Sequence, residues 1–201
     1  ELKATDVDMQ LGREATATDL AEAGPDVVVI ATGGRPLVPD IPGIRGNAVA
    51  TAHDVISGRT ATGHRILIAG GGLIGCEVAD LLASCGKQVT LVEMLPNVAF
   101  DEVVWLRLLL RKRLEQGGVT ILTSATVVEI TNDGAILERE GQRQTISCMD
   151  TIVLALGIEP SDEISQDLMD RVPDVLVVGD ARSPSKARDA IATGAEVGNQ
   201  I

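Results

Sequence analysis

The stretch ILIAGGGLIGCEVADLLASCGKQVTLVE, residues 66–93, carries the strongest structural signal of the sequence. An apolar strand runs into the pattern G-x-G-x-x-G, formed by Gly70, Gly72 and Gly75, and a helical run and a second apolar strand follow. Gly70 allows the tight turn, Gly72 lets a pyrophosphate approach the backbone, and Gly75 lets helix and strand pack closely. This order predicts a βαβ unit that binds a dinucleotide at the helix N-terminus.

An acidic residue, Glu93, closes the second strand of this unit. A carboxylate there can accept hydrogen bonds from an adenosine ribose, and it would repel the extra phosphate of NADP. No arginine follows in VEMLPN to offset that repulsion, so the pattern predicts NAD(H). The alternative is that the glycine turn binds no nucleotide and that Glu93 is an ordinary surface residue. Glu77 is expected in the first helical turn. Its carboxylate either stabilises the helix N-terminus or contacts the nicotinamide.

The composition is that of a folded α/β protein with few aromatic residues. Hydrophobic residues make up 45% of the 201 positions, and Phe100 and Trp105 are the two aromatic residues. Aliphatic side chains must therefore fill the interior, which suits buried parallel strands. The net charge of −12 disfavours nucleic acids and anionic membranes as partners. No apolar run reaches the roughly 20 residues of a membrane span.

The cysteines, the histidines and the N-terminus show no pattern of a redox, metal or targeting site. Cys76, Cys85 and Cys148 are widely spaced and form no CxxC pair, which favours reduced thiols in a cytoplasmic protein. His53 and His64 show no metal-ligand or nucleophile pattern, so neither a metal site nor a catalytic residue is predicted. The N-terminus ELKATDVDMQ lacks a starting Met and a signal-peptide pattern, so the chain is expected to be part of a longer protein.

The remaining sequence predicts further α/β structure around the glycine stretch. Asp101 is expected to cap a helix whose apolar residues are Val103, Leu106, Leu110 and Leu114. An antiparallel meander is expected over residues 124–149. Other expected elements are strands at residues 7–12, 26–34, 118–123, 150–157 and 174–181, the last of them buried, and a C-terminal helix from about Lys186.

Four stretches together resemble one enzyme group: VVVIATGGRP, IAGGGLIGCEVADLLASCGKQVTLVEML, DTIVLALGIEP and LVVGDARSPSKARDAIATGAEVGNQI. The sequence resembles the C-terminal reductase portion of NADH:flavin oxidoreductases of the old yellow enzyme group, the relatives of 2,4-dienoyl-CoA reductase, trimethylamine dehydrogenase and enoate reductases. The resemblance implies a Rossmann-like NAD-binding domain, residues 64–158, inserted in a partial FAD-binding domain, residues 1–63 and 159–201.

The resemblance also implies cofactors and site residues. NADH would pass hydride to FAD in the parent protein, while FMN and an iron–sulphur cluster belong to parts of the family that this sequence does not contain. Thr32 and Gly33 are expected near FAD, and Gly179 and Asp180 at its ribityl and pyrophosphate region. The full set of expected cofactor-binding residues adds Gly70, Gly71, Gly72, Leu73, Ile74, Gly75, Glu77, Glu93 and Gly157.

The sequence departs from the family at one important point. A first FAD fingerprint should precede residue 1, and no second G-x-G-x-x-G occurs. The chain is therefore expected to lack most of the FAD adenosine site and to be inactive alone, with the remaining domains of the parent, including a flavin barrel, as partners. An incomplete sheet edge could promote oligomerisation. Two alternatives remain: a dinucleotide-binding module without turnover, or the NADH-binding part of another flavoprotein reductase, such as a ferredoxin or disulfide reductase.

Overall fold

The computed structural model describes residues 5–100 and 102–201, which form two compact units. One unit combines the described part of Glu1–Arg35 with Glu159–Ile201, and the other is Pro36–Ile158. Along the sequence, the second unit is thus inserted between the two parts of the first. The expected α/β class with a parallel sheet is confirmed, whereas the predicted limits of the ligand-binding domains stay a prediction.

The inserted unit, Pro36–Ile158, is built on a five-stranded parallel sheet. Its strands, numbered in chain order, are β3 (Val49–Thr51), β4 (Arg65–Ala69), β5 (Gln88–Val92), β6 (Thr120–Leu122) and β10 (Thr151–Leu154). Their spatial order is β3-β10-β4-β5-β6. Because Leu154 and Val92 both pair with Ala69, the three central strands end at the same level.

Both faces of this sheet are covered, as expected for parallel strands. Ile66 and Ile68 of β4 join a buried cluster with the helices on one face, whereas Leu67 and Ala69 join a cluster with the meander on the other. The helices are α2 (Ala52–Ile56), α3 (Leu73–Ser84) and α4 (Val104–Gln116). Among the described residues, no helix combines the length and apolar character needed to cross a membrane.

The predicted antiparallel meander is confirmed. It consists of β7 (Thr126–Thr131), β8 (Gly134–Arg139) and β9 (Gln142–Ile146), paired in that order. Its buried side chains, among them Leu137, pack against the sheet face that carries Leu67. The meander therefore supplies the second cover of the parallel sheet, in place of helices.

Within its described residues, the other unit contains one pair of parallel strands, β1 (Val27–Ile30) and β12 (Asp174–Val177). Its helices are α1 (Ala17–Glu22), α5 (Glu163–Leu168) and α6 (Ala187–Gly198). The buried cluster is small and includes Val28, Ile30 and Leu168. Two further short strands, β2 (Gly34–Pro36) and β11 (Ile158–Pro160), pair with each other where the chain passes between the units.

Several sequence-based predictions need correction. Residues 7–12 form no strand: Val7 and Leu11 are exposed and irregular, because no strand of the described chain pairs with this segment. β12 is only half-buried rather than buried. Val103 and Leu106 are exposed, so only Leu110 and Leu114 of the expected stripe face the core. The expected cap at position 101 lies outside the described residues.

The ion pair between Asp150 and Arg65 joins the starts of β10 and β4. It makes the stability of the fold depend on pH. The Asp150 carboxylate accepts bonds from the Arg65 guanidinium at 2.8 Å, the Arg65 N–H at 2.8 Å and the His64 N–H at 3.0 Å. The bonds from Arg65 hold the pKa of Asp150 well below its ordinary value. Such a group stabilises the fold at neutral pH and loses this contribution as pH falls from about 4 towards the folded pKa.

We therefore expect the free energy of unfolding to fall more steeply between about pH 4 and pH 2 for the wild type than for Asp150→Asn. Urea denaturation at a series of pH values measures this difference. At neutral pH the variant should be the less stable of the two, and the two curves should converge in acid. Parallel curves for the two proteins would contradict the prediction, because the other carboxylates titrate equally in both.

Candidate nucleotide site

The predicted nucleotide residues lie where three neighbouring strands end. Gly70 follows β4, Glu93 follows β5, and Gly157 lies shortly after β10, which pairs with β4. From β4 the chain continues to β5 on one side, while β10 lies on the other side. Ligands of open parallel sheets bind outside the carboxyl ends of the strands at such a switch point. The predicted nucleotide residues therefore lie at the edge of the sheet where such ligands bind, and their contact with a nucleotide stays a prediction.

Two glycines of the turn are required by close backbone packing. Gly70 has φ +104°, and a Cβ there would lie 2.2 Å from the Ala155 carbonyl oxygen. A Cβ on Gly75 would lie 1.9 Å from the Gly70 carbonyl oxygen. Real Cβ atoms do not approach backbone this closely, so the turn and α3 can pack together only with glycine at both positions. These tasks match the ones expected from the spacing.

Gly72 has a different environment. It is the N-cap of α3, and a Cβ on it would meet no atom within 4 Å in the described chain. The first N–H groups of a helix have no intrahelical partner, and no side chain caps those at Leu73 and Ile74 in the described part of the chain. Space and free N–H donors thus occur together here. This is the arrangement that a pyrophosphate requires.

Glu93 lies against the glycine turn. Its side chain is buried, and it accepts a hydrogen bond from the Gly71 N–H at Oε2, at 2.6 Å, and one from the Leu95 N–H at Oε1, at 2.7 Å. An ionised carboxylate has about four lone-pair positions, so these two bonds leave further acceptor capacity for ribose hydroxyls. The alternative of an ordinary surface glutamate is therefore wrong: Glu93 connects the turn with the end of β5.

A segment that sequence reasoning missed completes this side of the site. The Ala99 N–H donates to the Gly71 carbonyl oxygen at 2.7 Å, and Val98 lies so close that a Cβ on Gly71 would be 3.0 Å from its Cγ1. Gly71 is thus held by Glu93 on one side and by residues 98–99 on the other. No motif in residues 94–100 signals these contacts, because they arise from the return of the chain towards the turn.

The other residues singled out on α3 are placed as follows. Cys76 is fully buried, and its thiol lies 3.3 Å from the Gly71 carbonyl oxygen, which confirms a packing role. Glu77 is the fifth residue of α3, so its expected place in the first turn is wrong, and its side chain is exposed. Its contact to a nicotinamide stays a prediction. Ile74, the second residue of α3, is also exposed.

The residues expected near FAD lie in the other unit, at the ends of its two parallel strands. Thr32 and Gly33 follow β1, and Gly179 follows β12. The two strands end side by side, because Ile30 of β1 pairs with Val177 of β12. The Thr32 hydroxyl donates to the Ser161 carbonyl oxygen, and Gly33 has φ +75°. The structure therefore brings these positions to the carboxyl end of one strand pair, although their contact with a flavin stays a prediction.

Asp180 and Gly179 are held by local hydrogen bonds. The Ser185 N–H donates to Oδ1 of Asp180 at 3.1 Å, and the Gly179 N–H donates to the Thr193 hydroxyl at 2.9 Å. One carboxylate oxygen of Asp180 thus already has a partner within its own turn. No second glycine-rich turn occurs in the sequence to hold a flavin pyrophosphate. Within residues 5–100 and 102–201, no group of His, Cys, Asp and Glu side chains could hold a metal ion.

Comparisons with known proteins agree with this architecture. The family model "Pyridine nucleotide-disulphide oxidoreductase" matches residues 2–194. NADH oxidase of Thermoanaerobacter brockii is 35% identical over the whole chain, and bilirubin reductase of Mediterraneibacter gnavus is 35% identical over 90% of it. The structure of a 2-naphthoyl-CoA reductase complex superimposes with a TM-score of 0.88, at 31% identity over 96% of this chain and 29% of that one.

The chain is much shorter than these relatives. It spans 32% of the NADH oxidase and 28% of the bilirubin reductase. A pyridine nucleotide and a flavin occur in the names of the family and of further structures, such as an NADH oxidase bound to NADH and a flavoprotein disulfide reductase. NAD(H) and FAD as the cofactors of this family are thereby confirmed.

Proposed function

Because the chain belongs to the pyridine nucleotide-disulphide oxidoreductase family, we propose that it binds NADH at the carboxyl edge of its five-stranded sheet. The observation that carries this proposal is the link between Glu93 and the N–H of Gly71 at 2.6 Å. That bond places a carboxylate beside the glycine turn, so one ligand can contact both. An NADH molecule has a pyrophosphate for the turn and a ribose diol for the carboxylate.

Each part of the site has a role in this proposal. The open space at Gly72 and the first N–H groups of α3 receive the pyrophosphate. Glu93 accepts hydrogen bonds from the adenosine ribose and repels the 2′-phosphate of NADPH. Gly70 and Gly75 keep the turn and helix close enough for these contacts. The bound reduced nicotinamide would supply a hydride, for which FAD is the acceptor in the parent protein.

We further propose that the parent is an NADH-dependent flavin oxidoreductase of the old yellow enzyme group. The NADH oxidase, bilirubin reductase and 2-naphthoyl-CoA reductase relatives support this, as does the short span of the chain against each of them. The remaining domains of such a parent would carry FMN, an iron–sulphur cluster and the choice of substrate. The chain alone would then be inactive in turnover, and we propose that the parent is cytoplasmic.

Parallel titrations with NADH and NADPH test the nucleotide proposal. Following nicotinamide fluorescence, we expect tighter binding of NADH, because a carboxylate beside a phosphate costs about 1–3 kcal/mol, or roughly tenfold to hundredfold in Kd. Binding of neither nucleotide would contradict the proposed site. Tighter binding of NADPH would contradict the role of Glu93 as the selecting residue.

A second candidate function is a nucleotide-binding module without turnover of its own. The two-stranded sheet of the Glu1–Arg35 and Glu159–Ile201 unit supports it, since no second glycine fingerprint accompanies that pair. The absorption spectrum of the purified chain separates the candidates. A retained flavin band would favour the enzyme, and a colourless protein that still binds NADH would favour the module.

The third candidate is the NADH-binding part of a different flavoprotein reductase. Cys76, Cys85 and Cys148 form no disulfide bond within the described residues, and of these three only Cys76 is buried. No redox-active pair is therefore formed by these three, which weighs against a disulfide reductase whose pair would lie in this segment.

A further inference from the structure

Ala99 has a backbone conformation that residues other than glycine rarely adopt. Its φ is +48°, and its side chain is buried in the cluster that the sheet forms with the helices. An L side chain disfavours this left-handed region, because its Cβ comes close to the following carbonyl oxygen. Such strain persists only where the surrounding structure enforces it, and it is concentrated at functional sites. The contacts that hold Ala99 in this conformation therefore indicate what the residue does.

These contacts direct Ala99 towards the glycine turn. The Ala99 N–H donates to the Gly71 carbonyl oxygen at 2.7 Å, and the Ala99 carbonyl oxygen accepts from the Glu102 N–H at 3.0 Å. The preceding residue, Val98, is 3% exposed, and a Cβ on Gly71 would lie 3.0 Å from its Cγ1. The strained conformation of Ala99 is thus the one in which its N–H reaches Gly71.

The segment that ends at Ala99 is also fixed at its start. Ser124, a second residue with positive φ, at +53°, donates its N–H to the Leu95 carbonyl oxygen at 3.1 Å. The Leu95 N–H in turn donates to Oε1 of Glu93 at 2.7 Å. Residues 94–99, which we name the turn clamp, are therefore held at both ends. The turn clamp cannot move away from Gly71 without the loss of backbone hydrogen bonds.

The bond from Ala99 fixes one peptide unit of the glycine turn. The Gly71 carbonyl and the Gly72 N–H belong to the same trans peptide, so they point in opposite directions. A donor that holds the carbonyl therefore aims the Gly72 N–H away from the turn clamp. The Cys76 thiol also reaches this carbonyl, at 3.3 Å, but a thiol is a weak donor. No acceptor of the Gly72 N–H is found among the described residues, and the space beside Gly72 is open.

We propose that Ala99 is a positioning residue for the nucleotide pyrophosphate and acts through the peptide between Gly71 and Gly72. This inference rests on the NADH site proposed above. Residues 70–72 are all glycine, so no side chain of the turn restricts this peptide. The turn clamp restricts it from outside. A donor that is already oriented raises affinity, because the cost of ordering it is not added to the cost of binding.

Glu93 and Ala99 act on different peptide units of the turn. Glu93 accepts from the Gly71 N–H, which belongs to the peptide between Gly70 and Gly71, whereas Ala99 donates to the next peptide. In the proposed site, Glu93 contacts the ribose and distinguishes NADH from NADPH. The pyrophosphate is common to both nucleotides. Loss of the Ala99 bond should therefore weaken NADH and NADPH by the same factor, unlike the change Glu93→Ala.

An ester in place of one amide tests the role of the Ala99 N–H. Replacement of Ala99 by its α-hydroxy analogue, lactic acid, removes this N–H in the full chain and keeps the methyl side chain. We expect the affinity for ADP to fall about tenfold and the affinity for adenosine, which has no phosphate, to stay unchanged. Competition with NADH, followed by nicotinamide fluorescence, measures both affinities. Partial unfolding lowers both by the same factor, so it cancels in their ratio.

Two variants serve as controls for this experiment. Ala99→Gly keeps the N–H and adopts positive φ without strain, so its ratio of ADP affinity to adenosine affinity should equal that of the wild type. Met149 offers a matched backbone bond in the same unit, since its N–H donates to the Asp133 carbonyl oxygen at 2.8 Å, before the start of β10. The corresponding ester at Met149 should leave the ratio unchanged.

The possible results separate this inference from the NADH proposal. If the wild type binds NADH and ADP and the Ala99 ester keeps the wild-type ratio, the positioning role is overturned and the NADH site stands. An equal loss of ADP affinity relative to adenosine in the Met149 ester also overturns the positioning role alone. If the wild type binds neither NADH nor ADP, the NADH proposal is overturned, and the role of Ala99 is overturned with it.

Discussion

Replacement of Gly75 by alanine is expected to destabilise the Pro36–Ile158 unit and to abolish NADH binding. The new Cβ would lie 1.9 Å from the carbonyl oxygen of Gly70. That oxygen cannot retreat easily, because the Gly70 N–H bonds Val92 at 2.9 Å and Gly70 itself is closely packed against Ala155. We expect a loss of at least about 1–3 kcal/mol in the free energy of unfolding, measured by urea denaturation.

Gly72→Ala is the matched control for this change. Gly72 has extended φ and ψ angles that alanine adopts freely, and its Cβ would meet no atom of the described chain within 4 Å. We expect unchanged stability, but NADH affinity lower by about tenfold to hundredfold, because the methyl group occupies the space proposed for the pyrophosphate. Full NADH affinity in Gly72→Ala would show that the pyrophosphate lies elsewhere. Wild-type stability in Gly75→Ala would show that helix and turn are not packed as described.

The elements that the sequence predicted well are those with strong local signals. The strand, turn and helix around Gly70 and Gly75 follow from apolar periodicity and from glycines whose tasks are steric. The short elements α2 and β3 were missed, because three to five residues carry too little periodicity. The opposite error occurred at residues 7–12, where alternation predicted a strand. Alternation alone does not form a strand without a partner to pair with.

The same distinction applies to the candidate site: its residue types follow from local sequence patterns, whereas its contacts depend on long-range pairing. The types of residue needed at Gly72 and Glu93 follow from spacing along the chain. The bond between Glu93 and Gly71 joins residues that meet only because β4 and β5 pair in register, with Ala69 beside Val92. The contact between Ala99 and Gly71 depends on the path of a loop without a motif, and spacing carries no information about such a path.

Glu93→Ala is expected to weaken NADH binding and to remove most of the preference over NADPH. Hydrogen bonds to a charged group contribute about 1.5–3 kcal/mol, so NADH affinity should fall by about tenfold to hundredfold. The affinity for NADPH should fall less than the affinity for NADH, because the phosphate of NADPH no longer meets a carboxylate. The buried Gly71 N–H also loses its acceptor, at a cost of roughly 1–3 kcal/mol in the free energy of unfolding. Nicotinamide fluorescence and urea denaturation measure the two effects.

The ratio of the two dissociation constants separates nucleotide selection from stability. Partial unfolding reduces the binding of NADH and NADPH by the same factor, so it cancels in the ratio. Glu77→Ala is the control, since Glu77 is exposed and one turn further along α3, and it should change neither the ratio nor the stability. A reduced stability with an unchanged ratio in Glu93→Ala would mean that Glu93 acts only on the N–H groups of Gly71 and Leu95. In that case the preference for NADH would have to arise from another part of the proposed nucleotide site.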